Sequence, residues 1–162
     1  MKYDVIVLGS GPGGYVTAIR ASQLGLKTAI VEREELGGIC LNWGCIPTKA
    51  LLKSANVFEY IQHAEAYGIK VSSSEADFGA MVSRSRDVAD GMSKGVTFLL
   101  KKNKVDVIMG SGKVLTGKRL EVKANDGGTQ VLEASNIIIA TGARSRQLPN
   151  LKQDGKKIIG YR

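Results

Sequence analysis

The opening 32 residues constrain the fold more than any other stretch, because they hold a strand, a glycine-rich turn, a helix and a second strand that closes on an acid. Tyr3-Asp4-Val5-Ile6-Val7-Leu8 is a β-branched run that reads as a buried strand. Gly9-Ser10-Gly11-Pro12-Gly13-Gly14 follows. From Tyr15 to Leu24, apolar or small residues at Val16, Ala18, Ile19, Ala21 and Leu24 give the pattern of a helix packed on a sheet. Gly25 sits where a helix ends in a conformation that glycine fills best. Lys27-Thr28-Ala29-Ile30-Val31 is the second strand, closed by Glu32. Such a βαβ unit has a right-handed crossover.

Gly9-x-Gly11-x-x-Gly14 is weak alone, but its place between strand and helix, with Glu32 ending the next strand, identifies a dinucleotide-binding unit. Gly9 permits the tight turn, Gly11 lets the backbone approach a pyrophosphate, and Gly14 lets helix and strand pack closely. The helix N-terminus, with Pro12 and Gly13 beside it, offers N–H groups and partial positive charge to phosphates. Glu32 is suited to the ribose hydroxyls of an adenosine, and its charge disfavours a 2′-phosphate. The motif does not choose between FAD and NAD.

The only two cysteines lie in Gly37-Gly38-Ile39-Cys40-Leu41-Asn42-Trp43-Gly44-Cys45-Ile46-Pro47-Thr48-Lys49. In an ideal helix their Cα atoms would be about 8–9 Å apart, on faces about 140° apart. A disulfide usually needs less than about 7 Å. The pair is therefore either two reduced, packed thiols or a bond across an irregular turn. Gly44 permits an irregularity, and Pro47 lacks the N–H that would bond the Trp43 carbonyl. A helix N-terminus would also favour a thiolate. Lys49, about one turn past Cys45, is either a solvated surface lysine or a cation for a bound flavin; Thr48 could bond a phosphate or cap a backbone group.

The segment from Pro47 is helical to about His63, and Val71 to Asp77 is a loop with a helix cap near its end. A long helix is expected from Phe78 to Asn103, weakened in the middle by Gly91 and Gly95. Val105 to Met109 reads as a strand, stopped by Gly110-Ser111-Gly112. Arg119–Lys123 and Thr129–Glu133 read as two polar strands about the turn Asn125-Asp126-Gly127-Gly128. Asn136-Ile137-Ile138-Ile139-Ala140 is a buried strand ending at Thr141-Gly142-Ala143-Arg144. That end and Gly112 would present backbone to a nucleotide at the carboxyl ends of the parallel strands. The expected class is α/β: a Rossmann-like parallel sheet with helices on both faces and a small antiparallel β-meander inserted. Residues 1–150 form the expected domain; 151–162 read as a linker toward a further, NAD-binding domain.

The composition is that of a globular chain, with hydrophobic residues at 43% and charged residues at 23%. The net charge of +8 is dispersed and has little aromatic interleaving, which argues for a solvated surface rather than nucleic-acid binding. No apolar run approaches the roughly 20 residues of a membrane span, and no signal-peptide pattern opens the chain. A cytoplasmic or matrix location is expected. His63, the only histidine, lies on a polar helix face, and two cysteines with one histidine at these spacings build no metal site.

Taken together, these residues resemble the flavoprotein pyridine-nucleotide disulfide oxidoreductases, from Tyr3 to Arg162. Within them the stretch from Gly37 to Leu52 is most similar to the dihydrolipoamide dehydrogenase branch; glutathione and mercuric reductases share the cysteines but differ around them. The resemblance implies a redox-active Cys40–Cys45 disulfide beside FAD. It implies an FAD site formed by Gly9, Gly11, Pro12, Gly13, Gly14, Glu32, Arg33, Gly38, Ile39, Cys40, Lys49, Gly112, Ala140, Thr141, Gly142 and Ala143. Cys40 would exchange with substrate and Cys45 would face the flavin. It further implies NAD in a separate domain, a homodimer, and the lipoyl domain of 2-oxo acid dehydrogenase complexes as partner. The isolated 162 residues, without the rest of such a protein, are expected to bind rather than turn over.

Overall fold

A computed structural model describes residues 2–161. Met1 and Arg162, at the ends of the two expected segments, lie outside the described residues. The elements are β1 (Lys2–Leu8), α1 (Pro12–Gln23), β2 (Thr28–Glu32), α2 (Gly38–Asn42), α3 (Cys45–Gln62), a 3-10 turn at Ala64–Tyr67, α4 (Phe78–Lys102), β3 (Asp106–Leu115), β4 (Arg119–Ala124) and β5 (Thr129–Ile139).

The five strands close into a barrel in chain order, and β1 lies between β2 and β5, parallel to both, with Val7 opposite Ile30 of β2 and Ile138 of β5. Strand β2 in turn pairs in parallel with β3, setting Glu32 opposite Met109. The register therefore brings the carboxyl ends of the parallel strands to one edge, where open α/β sheets bind ligands.

The α/β class, the parallel strands and the antiparallel meander are those expected, but the helices lie on one face and not on both, the meander closing the other, and two strands are longer than the sequence suggests. Strand β3 runs through Gly110-Ser111-Gly112 instead of stopping there, and its second half pairs antiparallel with β4. Strand β5 likewise joins Thr129–Glu133 to the apolar run in one strand. Here glycine serves close approach rather than a turn. A Cβ on Gly110 would lie 2.5 Å from the Lys123 carbonyl oxygen, and one on Gly112 would lie 2.5 Å from Leu8 Cδ1. The turn at 125–128 is as expected, with Gly127 at φ +102 and Ala124 N–H donating to the Gly128 carbonyl at 2.7 Å.

The layering follows from crossover handedness. Going from β1 to β2 to β3 moves one way across the sheet, so right-handed crossovers put the intervening helices on one face. The chain returns to the far side of β1 through the meander, which covers the other face. From Val5 to Leu8 alternation along β1 separates the two cores, while Tyr3, at the start of the strand, joins the meander side against that alternation. Val5 and Val7 pack with Ala18, Ile30, Val96 and Leu100 on the helical side. Tyr3 and Ile6 pack with Val31, Leu120, Val122 and Leu132 on the meander side.

Helix α4 carries its own start signal: Asp77 Oδ1 accepts from the Ala80 N–H at 2.9 Å. It passes unbroken through Gly91 and Gly95. No helix among the described residues is long and apolar enough to cross a membrane.

Candidate flavin and disulfide site

Three backbone segments converge at the carboxyl edge of the sheet. Gly9 N–H donates to the Val31 carbonyl and Ala140 N–H to the Leu8 carbonyl, both at 2.8 Å. A Cβ on Gly9, whose φ is +99, would lie 2.4 Å from the Ala140 carbonyl oxygen; one on Gly14 would lie 1.9 Å from that of Gly9. These two glycines let β5 and α1 close on the turn. Gly38, at φ +72, brings the next segment in, and a Cβ there would lie 2.6 Å from Gly11 Cα. Gly11 differs, since a Cβ on it would meet no protein atom within 4 Å.

A cleft of about 1220 Å³ opens at this convergence. Its walls include Gly9, Gly11 and Pro12 from the first turn, Glu32 and Arg33 after β2, and Gly38, Ile39 and Cys40 of α2. Gly112 of β3 and Ala140, Thr141, Gly142 and Ala143 after β5 complete them. Gly13, Gly14, Cys45 and Lys49 are not on the wall. Gly14 is buried beneath the turn, and Lys49 is exposed on α3.

Glu32 is held before any ligand arrives. Its Oε2 accepts from Ser10 N–H at 2.9 Å and Ser10 Oγ–H at 2.7 Å. Its Oε1 accepts from the N–H groups of Arg33 at 2.8 Å and Glu34 at 3.0 Å. A carboxylate has about four acceptor directions. All four are filled from within the chain, so Glu32 orders the glycine turn, and a ribose hydroxyl would reach it by displacing one of these donors, such as the rotatable Ser10 Oγ–H.

Cys40 and Cys45 are bonded, with Cα atoms 4.8 Å apart. Of the two readings left open by the spacing, the irregular turn is the one realised. Helix α2 ends at Asn42 and α3 begins at Cys45, with Trp43 and Gly44 between them outside helical geometry. A Cβ on Gly44 would press to 3.2 Å from both Cys40 Cα and the Ile39 carbonyl oxygen. Pro47 falls in the first turn of α3, where its missing N–H costs nothing. Cys40 is half-buried on the cleft wall, whereas Cys45 is exposed as the first residue of α3, so the wall carries Cys40 and not the Cys45 expected to face the flavin. His63 is on the surface, its Nδ1 2.9 Å from the Glu59 carbonyl oxygen.

Several residues that shape the site carry no sequence signal of their own. Ser10 is fully buried and holds Glu32. Asn42, also buried, donates through Nδ2 to the carbonyls of Leu36 and Gly38, each at 3.0 Å. From α4, Arg86 donates to the Asn42 carbonyl at 2.9 Å and Ser93 to that of Leu36 at 3.0 Å. Gln153 and Tyr161, in the stretch read as a linker, line the cleft too.

The sequence matches the pyridine nucleotide-disulphide oxidoreductase family over residues 3–161, and the chain belongs to that family. It is 56% identical to a dihydrolipoyl dehydrogenase of Zymomonas mobilis, over 98% of this chain and 34% of that protein. It is 52% identical to one of Rhizobium etli, over 99% of this chain and 36% of that protein. It is also 48% identical to a leghemoglobin reductase of Vigna unguiculata, over 96% of this chain and 30% of that protein. The chain thus spans about a third of the length of these relatives.

Membership implies FAD for this part of the fold and NAD in the remaining part. The geometry fits the first of these. The N-terminus of α1 has no side-chain cap, Gly11 leaves open space above it, and Glu32 flanks the cleft. Those features suit a pyrophosphate at the helix end with an adenosine ribose beside the acid.

Proposed function

We propose that this chain is the FAD-holding, disulfide-bearing part of a cytoplasmic enzyme that oxidises protein-bound dihydrolipoamide with NAD⁺. The observation that carries the reading is the Cys40–Cys45 disulfide bridging α2 and α3, with Cys40 on the wall of the cleft that the glycine turn and Glu32 also line. In this reading residues 1–150 are the FAD domain, and 151–162 lead toward the NAD-binding domain. The whole protein works as a homodimer on the lipoyl domain of a 2-oxo acid dehydrogenase complex.

The proposed FAD contacts divide by chemistry. The N–H groups of Gly11 and Gly13 serve the pyrophosphate, Pro12 borders it without a donor, and Gly9 and Gly14 close the turn beneath, their N–H groups already given to Val31 and Gly11. Glu32, Arg33 and Gly112 serve the adenosine, and Gly38, Ile39, Cys40, Lys49 and Ala140 to Ala143 the remainder. A dihydrolipoamide thiolate attacks Cys40 Sγ to form a mixed disulfide, and Cys45 Sγ leaves as a thiolate. The second substrate thiol then displaces Cys40, so the substrate becomes a cyclic disulfide and the two cysteines gain its two electrons and two protons. Cys45, as the first residue of α3, is favoured as thiolate by the positive end of that helix. FAD, when bound, supplies the two-electron acceptor that re-forms the disulfide.

The test is NAD⁺ reduction by the whole protein that carries this sequence. Dihydrolipoamide should support turnover, and Cys40→Ser or Cys45→Ser should abolish it. Turnover of glutathione disulfide with no response to lipoamide would overturn the substrate class.

A further inference from the structure

The bond between Cys40 and Cys45 depends on α2 and α3 not being one helix, and α4 supplies what that break removes. In a continuous helix the Asn42 carbonyl would accept the N–H four residues on, that of Ile46. Here it instead accepts from Arg86 Nη1 at 2.9 Å, across a separation of 44 residues. The next carbonyl, that of Trp43, would look to residue 47, which is proline and has no N–H. Helical pairing resumes only afterward, with Thr48 N–H donating to the Gly44 carbonyl at 3.1 Å. Two successive helical bonds are therefore replaced or disallowed at the point where the cysteines must approach. Arg86 is half-buried between α4 and this segment, and its neighbour Asn42 is itself pinned to Leu36 and Gly38.

We infer that Arg86 is a positioning residue for the redox pair: its guanidinium substitutes for the lost helical donor at Asn42 and so holds the two thiols in bonding reach when the disulfide opens. The inference rests on the redox reading given above. Without Arg86, the reduced segment gains by closing the Asn42 carbonyl onto Ile46 N–H, which lengthens the helix and draws the cysteines apart. The dithiol is then favoured. Arg84 is the internal contrast. It donates to the Ala50 carbonyl at 3.1 Å, well inside α3, where the helix does not need it to hold a break.

The experiment equilibrates the 162-residue chain in mixtures of reduced and oxidised dithiothreitol, then traps thiols by alkylation and measures the bonded fraction by mass. In each cycle dithiothreitol loses two electrons and two protons to Cys40 and Cys45 and closes its own ring. Arg86→Ala should shift the equilibrium toward the dithiol about tenfold, which is about 30 mV for a two-electron couple. Arg86→Lys, which keeps one donor, should recover part of that shift, and Arg84→Ala should stay within about twofold of the parent. A purely structural role would lower the thermal stability of the oxidised and reduced forms alike and leave the ratio unmoved. The inference is overturned if Arg86→Ala stays within about twofold, or if Arg84→Ala moves as far. A parent chain that never cycles between the two states would overturn the redox reading itself, and this inference with it. Should Arg86→Ala fail to fold, Arg86→Lys decides alone: an equilibrium identical to the parent contradicts a role for the planar donor.

Discussion

The two glycine-rich turns that meet at the cleft are built on opposite plans. The turn after β1, Gly9 to Gly14, is closed by backbone: Gly9 and Gly14 pack on each other and on Ala140 with no room for a Cβ, and the one side chain that ties it down is Glu32, through Ser10. The segment after β2, Gly37 to Cys45, is shaped from a distance. Arg86 and Ser93 reach it from α4, 44 and 57 residues away from the carbonyls they bond. The first turn needs the absence of atoms; the second needs particular atoms supplied by another helix. A turn closed by its own backbone can thus be rigid by default, while the turn across the Cys40–Cys45 bond needs outside donors to hold an interrupted helix.

The largest expected effect lies in the first turn. Gly14→Val should destabilise the chain by about 3 kcal/mol or more, measured by urea denaturation, because its Cβ meets a carbonyl oxygen at 1.9 Å. Gly11→Ala, in the same motif, should change stability by less than about 0.5 kcal/mol yet weaken FAD binding, because its Cβ faces only the cleft. Equal stability losses for the two would erase the distinction between closing the turn and leaving room for a ligand.

Opening the disulfide should cost about 2 kcal/mol of folding stability, since the loop between Cys40 and Cys45 is short. Comparable in size is an alkaline effect confined to the β1 side. Tyr3 is buried and donates to Asp106 Oδ2 at 3.0 Å. Burial, then the bond to and charge of Asp106, push its pKa up to about 12 from an ordinary 10. The neutral phenol is favoured in the fold, so this stabilisation is complete below pH 10 and lost as pH rises toward 12. The loss is on the order of 2 kcal/mol, and Tyr3→Phe should flatten that limb of the stability curve. A smaller effect is expected for Gly44→Ala, about 1 kcal/mol, from contacts tightened to 3.2 Å at Cys40 and Ile39. It should fall on the oxidised form more than the reduced, and equal losses would sever Gly44 from the redox turn.

The same contrast explains what could be read in the sequence. The first turn was legible because its steric requirements sit in nearly consecutive residues, Gly9, Gly11 and Gly14, and because Glu32 falls at the predictable end of the next strand. The broken helix was legible in part: Gly44 and Pro47 are local, and the spacing of the cysteines demanded a break if they were bonded. Its support by Arg86 and Asn42 was not, because an arginine on a long helix looks like any solvated cation until α4 is laid against α2. Ser10 was hidden for a similar reason, since its partner Glu32 is 22 residues away. Gly110 and Gly112 misled in the opposite sense. They look like a turn and are instead strand residues made small by Lys123 and Leu8.

A fluorescence titration of FAD against this chain tests the central claim most directly. Saturable one-to-one quenching is predicted, weakened in Gly11→Ala while the fold is kept. No quenching by the folded parent chain, or quenching that Gly11→Ala leaves unchanged, would contradict the assignment of the cleft.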